Sequence, residues 1–262
     1  MTYPEAVFLR HSSRTYDPVL SDEDSQVIDR LVDRLPKRHF GSSMVGVSRI
    51  DCAKGVQPPG TYGFIGGSRH YLVVHTAGAV NRLTYIDCGM IAELMALDAT
   101  RVGLGSCLMT GSLRDTSFAR AAGLSGADSL LLVSPVGHTR SPRLAEVLIG
   151  KMSRSGSRMP LNRFVFADSA MTIPWQPGSG DAGLCHAIEG LGKAPSALNR
   201  QPWRVVVADD HIEIHNSESD SNSWISMGCA VTNYCAMVGI CSDLLTLAGS
   251  PEHPVIIAPR PA

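Results

Sequence analysis

The sequence predicts an α+β fold in two halves, each with its own sheet, joined through long apolar helices that form a shared core. Three observations carry this expectation. Residues 85–107, YIDCGMIAELMALDATRVGLGSC, and residues 224–245, WISMGCAVTNYCAMVGICSDLL, both open with an aromatic and an isoleucine, place a glycine four residues on and run on as apolar helices. Ahead of each stands a short amphipathic helix that ends near a lysine and a turn, VIDRLVDRLPKRHF (27–40) and CHAIEGLGKAPSAL (185–198). A strand follows in both places, MVGVSRI (44–50) and WRVVVAD (203–209). The pattern recurs at about half the chain length, which marks a tandem duplication rather than a solenoid. The expected halves are 1–150 and 158–262.

Taken in order, the chain opens with a helix that Thr2 caps and Pro4 starts. That helix is expected to run into LRHSSR, where Arg10 and Arg14 would share a face at a spacing of four. RHYLVVH (69–75) and SLLLVSPVG (129–137) read as buried strands. The stretch 138–158, HTRSPRLAEVLIGKMSRSGSR, is basic and serine-rich and reads as the crossover between halves. VVVADDHIEIHN reads as a hairpin turning at Asp209 and Asp210. Residues 221–242 carry no charge and imitate a membrane span. Their serines, asparagine and threonine, and an apolar part short of the ~20 residues a span needs, favour a helix buried in protein.

The bulk numbers exclude several classes. Hydrophobic residues make up 44% of the 262, charged ones 18%, and the net charge is −1. Such a chain builds an ordinary core, and its charge argues for neither nucleic acid nor an anionic membrane as partner. Seven cysteines form an odd set with no C-x-x-C pair, so a disulfide framework or zinc site is not expected and a reducing cytoplasm is. The N-terminal stretch MTYPEAVFLRHSSR has no apolar h-region and is not expected to be a signal peptide.

Three stretches could carry chemistry. Arg10, Ser12 and Arg14 place two guanidiniums and a hydroxyl in a small space, as a phosphate dianion requires, although two arginines at a helix end are also an ordinary solvated face. Gly103, Leu104, Gly105 and Ser106 follow the first long helix; the glycines allow close approach of backbone to a ligand, or simply end the helix. No third glycine makes this a dinucleotide fingerprint. In APSALNRQPWR (194–204), Pro195 and Pro202 stiffen the backbone while Ser196, Asn199 and Gln201 offer neutral donors and acceptors. Such a loop suits a planar heterocycle, or is a turn into the next strand. His211, Glu213 and His215 share one face of a strand, and a solvated hairpin is the better expectation than a metal site. Cys107 is expected to pack.

Together these stretches resemble the nitroreductase-like flavoproteins. APSALNRQPWR matches their A-P-S-x-x-N-x-Q-P-W loop, RHSSR their N-terminal R-x-S-x-R, and GLGSC their G-L-G segment. The usual family carries all three in one short chain, and two identical chains share two sites. Here the first copy has KRHFGSSMVGV where the A-P-S loop would stand. The second has LNRFVFADSAM in place of R-x-S-x-R and VGICSDL in place of G-L-G. The halves are complementary, and the chain resembles the single-chain pseudo-dimer branch, the TM1586-type nitroreductases, which GTYGFIGGSRHYLVV and SPVGHTRSP also resemble.

The resemblance implies one FMN per chain. Arg10, Ser12 and Arg14 would hold its phosphate, with added charge from the crossover, Arg143 above all. Gly103, Leu104, Gly105 and Ser106 would pass along the ring, and Pro195, Ser196, Ala197, Asn199 and Gln201 would cross from the second half. It implies an oxidoreductase that draws on NADPH or NADH to reduce small electrophiles such as nitroaromatics or quinones. A flavin-dependent oxidase or dehydrogenase of a biosynthetic pathway, and a flavin-binding protein without turnover, stay open. No catalytic acid or base is expected among the side chains, because the flavin supplies the hydride chemistry. A monomer containing its own pseudo-dimer would need no partner to build the site.

Overall fold

The computed structural model describes residues 1–35, 40–41, 43–52, 65–110, 116–141 and 156–261. Arg143, most of the crossover and most of GTYGFIG lie outside the described residues.

The chain starts with helix α1 (Tyr3–Leu9), whose Thr2 hydroxyl and Glu5 carboxylate form a reciprocal capping box. Helix α2 (Asp22–Arg34) begins in the same way at Ser21 and Asp24, several residues earlier than its apolar pattern suggests. Strands β1 (Val45–Asp51) and β2 (His70–Ala77) follow, then the long helix α3 (Arg82–Arg101), β3 (Gly105–Ser106), α4 (Thr116–Ala121) and β4 (Asp128–Gly137). They form an antiparallel sheet in the order β1-β2-β4-β3.

The second part opens with a 3₁₀ turn (Leu161–Arg163) and β5 (Val165–Phe166). Helix α5 (Ala182–Gly192), β6 (Trp203–Val207), β7 (His211–Asn216), helix α6 (Ser221–Val238), β8 (Thr246–Ser250) and β9 (His253–Pro259) complete it. Its sheet runs β5-β6-β7-β9-β8, with β5 parallel to β6 and every other pair antiparallel. Leaving β5 aside, the two sheets have one order, reached in both cases by helix, strand, strand, long helix, strand, strand, with α4 added between the last two strands of the first.

The two long helices cross at their matching glycines. A Cβ at Gly89 would lie 2.0 Å from the Ile225 carbonyl oxygen, and one at Gly228 would lie 2.1 Å from that of Ile86. Only hydrogen fits at either place, so the backbones touch. The Cys229 thiol and the Thr232 hydroxyl then reach the Gly89 and Met90 carbonyls at 3.4 and 3.0 Å. Ile86 and Met90 of α3 pack in the core of the second sheet, and Ile225 of α6 packs in that of the first. Helix α1 lies across both, with Ala6 and Val7 against Leu97, Ala236 and Met237.

Each long helix also pins a loop of its own half, two residues after its opening aromatic. The buried Asp87 carboxylate accepts from the Phe40 and Gly41 amides at 2.9 and 2.8 Å. The Ser226 hydroxyl accepts from Ala197 at 3.3 Å.

Several boundaries differ from the sequence expectation. Helix α3 stops at Arg101 because Gly103, at φ +82°, closes a Schellman turn: its N–H meets the Thr100 carbonyl at 3.0 Å, and that of Leu104 meets Ala99 at 2.9 Å. Helix α6 likewise ends at Val238, before Gly239 at φ +74°. The β8–β9 hairpin was not anticipated, since TLAGS carries no alternation and all five residues of β8 are exposed.

Candidate functional site

The N-terminal motif does not lie on one helix face. Helix α1 ends at Leu9, and Arg10 turns the backbone to ψ 127°, after which the chain is extended. The reason is pairing: Ser12 bridges to Ser106 in parallel, and the Ser13 N–H donates to the Ser106 carbonyl at 2.9 Å. Arg14 and Tyr16 exchange backbone hydrogen bonds with Gly66 at 2.8 Å. Two motif segments about ninety residues apart in sequence thus lie side by side. Gly105 permits it, because a Cβ there would stand 2.2 Å from the Thr139 methyl and 2.9 Å from the Ser13 hydroxyl. Gly103 ends the helix, Leu104 is buried in the first core, and Ser106 is buried at the seam.

Beyond the bend, Arg10 points into the protein. Its side chain is 3% exposed, and its Nε lies 3.1 Å from Oε1 of Glu93, which is 0% exposed on α3, one turn past the glycine crossing. The contact is electrostatic rather than a directed hydrogen bond, for Arg10 Nε and both Glu93 oxygens lack a hydrogen-bond partner of good geometry. Burial is the main influence on Glu93 and pushes its carboxyl up to about 7, against the opposing pull of Arg10 and Arg158. Arg158, half-buried at the end of the crossover, has its proton affinity lowered by burial and by Arg10, with Glu93 acting the other way.

Arg158 also ties this group to the late loop. Its guanidinium donates to Asn199 Oδ1 at 3.1 Å and to the Lys193 carbonyl at 3.3 Å. The Asn199 amide returns a hydrogen bond to the Ser157 carbonyl at 3.0 Å, and Gln201 Oε1 accepts from the Met159 N–H at 2.8 Å. Ser196 accepts from the Gln201 N–H at 3.0 Å. The polar side chains expected to meet a ring therefore hold residues 157–159 and the loop itself. Leu198, Asn199 and Gln201 all take left-handed backbone, at φ +54°, +57° and +53°. Pro195 and Ala197 are half-buried beside them, the Ala197 amide resting on α6.

The structure thus joins Arg10 of the first half to Asn199 of the second through Arg158 and Glu93, neither of which the motif reading named. Glu93 had a signal, as the lone charge in the apolar run GMIAELMAL; Arg158 closed the basic crossover. Arg14 stands at the same seam and is half-buried.

On the β6–β7 hairpin, His211 pairs with Asp210 at 2.6 Å and His215 with Glu213 at 2.8 Å. Among the described residues no three histidines, cysteines or carboxylates gather as a metal site requires. Cys52, Cys88, Cys185, Cys229, Cys235 and Cys241 are free thiols. No helix among the described residues is long and apolar enough to cross a membrane.

The sequence pattern of the family described as "Putative TM nitroreductase" matches residues 2–237. The chain belongs to this family. Among solved structures it is similar to the family's namesake, a nitroreductase from Thermotoga maritima, at 17% identity and a TM-score of 0.61 over 98% of this chain and 93% of that one. The fold of the TM1586-type nitroreductases therefore spans the whole chain. It is also similar to a nitroreductase with bound FMN from Desulfitobacterium hafniense, at 19% identity and a TM-score of 0.42 over 55% of this chain and 92% of that one. A third is the NADPH:FMN oxidoreductase from Vibrio harveyi complexed with NAD+, at 19% and 0.41 over 54% and 73%. No curated protein matches the chain in sequence.

Proposed function

We propose that this nitroreductase-family chain binds one FMN at the seam between its N-terminal segment and the 194–204 loop. There it would use NADPH or NADH to reduce a small electrophile such as a nitroaromatic or a quinone. The observation that carries this is the meeting of Arg10, Arg158 and Glu93 beside the Ser12–Ser106 seam, with Asn199 held to the same group. Arg10 lacks a directed acceptor at Nε, and a phosphate oxygen is a strong, charge-assisted one. Two guanidiniums about one carboxylate also favour an added anion over a neutral ligand. In that sense the residues fit the group.

In this reading Arg10, Ser12 and Arg14 hold the phosphate, with Arg158 beside them and Arg143 of the crossover adding charge. Gly103, Leu104, Gly105 and Ser106 form the wall along the ring. Pro195, Ser196, Ala197, Asn199 and Gln201 close the site from the second half, chiefly by holding the loop in its left-handed shape. Bound FMN supplies hydride chemistry; the protein supplies position and electrostatics. Residues 1–150 and 158–262 would be copies of one ancestral unit, so one chain completes a site that otherwise takes two.

The test begins with FMN titration followed by fluorescence. Anaerobic mixing of the loaded protein with NADPH, then NADH, should bleach the flavin absorbance, and a nitroaromatic or quinone should restore it. FMN that binds but bleaches with neither donor would leave a flavin-binding protein without turnover. Failure to bind would remove the whole reading.

A further inference from the structure

We infer that Glu93 is the proton-exchanging counter-ion of the cofactor's phosphate site: as a carboxylate it pairs with Arg10 and attracts Arg158, and it takes up a proton when a phosphate dianion comes to share those arginines. This rests on the FMN reading above.

The geometry favours the exchange. Glu93 is fully buried, its two oxygens have no directed donor, and Arg10 at 3.1 Å is its ion partner. Placing a dianion beside Glu93 sets three negative charges against the two guanidiniums of Arg10 and Arg158 around a fully buried carboxylate. Like charges at such separations are strongly unfavourable in low dielectric, and one acid then takes a proton rather than pay that cost. The phosphate is the stronger acid and would keep its charge, so the proton goes to Glu93.

The ionisable groups around Glu93 allow this. Arg10 reaches it from the end of α1, and Arg158 attracts it from the segment ahead of β5. From α6 the group that feels Glu93 is Cys229, a buried thiol pushed well up by burial first and by Glu93 next, so it stays neutral. Cys88 on α3 is also raised by burial and stays a thiol. Glu93 is the member of the group whose proton affinity lies near neutrality.

The position in the helix supports the assignment. Gly89 and Gly228 bring α3 and α6 into backbone contact one turn earlier, and α1 covers the crossing through Ala6 and Val7. Glu93 is fully buried there, so the carboxylate relies on the arginines for its charge.

Calorimetric titration of the full-length protein with FMN, in two buffers of different ionisation enthalpy at about pH 8, should show uptake of about one proton per FMN. Riboflavin, which lacks the phosphate, should bind without uptake. The wild-type affinity for FMN should fall roughly tenfold for each pH unit above neutrality. Glu93→Gln should take up no proton and show a flat pH profile, whereas Glu93→Asp, which restores a carboxyl, should regain the uptake. FMN that binds wild-type protein without uptake overturns the inference alone and leaves the FMN site standing; this holds even if the glutamine variant does not fold. Uptake that persists in a folded Glu93→Gln protein also overturns it. Absence of FMN binding to wild-type protein overturns both this and the FMN site.

Discussion

Arg10 neutralises a buried acid and, in the proposed site, holds an anion as well, and the two duties can be separated by pH. Removing one partner of a buried ion pair leaves an uncompensated charge and typically costs about 3–5 kcal/mol. Burial raises the Glu93 carboxyl to about 7. A carboxyl whose proton affinity rises on folding contributes stability below its ordinary range, and that contribution is lost as pH climbs through the folded value. Arg10→Ala raises it further, so its loss of stability should be larger at pH 8 than at pH 5, where the acid is already close to neutral. Urea melts at the two pH values check this, and an equal loss at both would contradict it. Arg14 stands half-buried at the same seam, and Arg14→Ala probes phosphate binding from a second guanidinium. A charge-assisted hydrogen bond of about 1.5–3 kcal/mol predicts FMN weakened roughly 10- to 100-fold, measured by flavin fluorescence. Leu198 offers the opposite case. It is 82% exposed and left-handed, a conformation that costs an L residue about 1–2 kcal/mol. Leu198→Gly should therefore hold or slightly raise the urea midpoint, while Asn199→Gly, which deletes the bonds to Arg158 and Ser157, should lower it.

Among the elements, the crossing of α3 and α6 is the feature most sensitive to one methyl. At Gly89 the added carbon would meet the Ile225 carbonyl at 2.0 Å, and backbone cannot rotate aside as a side chain does. Overpacking of this kind costs about 1–3 kcal/mol, and Gly89→Ala or Gly228→Ala should reach the upper end or beyond. Gly103 is the control. Nothing lies within 4 Å of a Cβ there, yet φ is +82°, so Gly103→Ala should cost only the left-handed penalty of about 1–2 kcal/mol. Chemical denaturation of the three variants ranks them; equal midpoints would show that the helices can separate without loss. These elements were largely legible, because an aromatic-isoleucine opening, a glycine four residues on and a long apolar run are local patterns. Their ends were less so: the apolar character of LGSC continues past Arg101, and only the turn at Gly103 shows that the helix has closed.

For the whole molecule, the shared strand order of the two sheets predicts two places for a cofactor, and the chain supplies parts for one. Where the second half would need an arginine segment, residues 161–166 make a 3₁₀ turn and then β5, which pairs with β6 and extends the sheet. Where the first half would need the late loop, Phe40 and Gly41 are bound to the buried Asp87. Flavin absorbance against protein concentration should accordingly give one FMN per chain after reconstitution. A value near two would contradict the complementary arrangement. The pairing of Ser12 with Ser106 was not visible in the motifs themselves, since nothing within either segment specifies its partner across so long a separation.

What the sequence determined by itself was whatever depends on neighbours a few positions away. Thr2 and Glu5 cap α1, the apolar runs become helices, the β6–β7 hairpin turns at Asp209 and Asp210, and the loop at Asn199 carries its motif. Tertiary structure alone decided which groups meet. Arg10 and Arg14 leave a common helix face because the chain pairs with β3, and Asn199 and Gln201 turn inward to hold residues 157–159. Glu93 is an ordinary glutamate in the sequence. Its altered proton affinity exists only because α1, α6 and the segment at Arg158, distant in sequence, together remove the water around it.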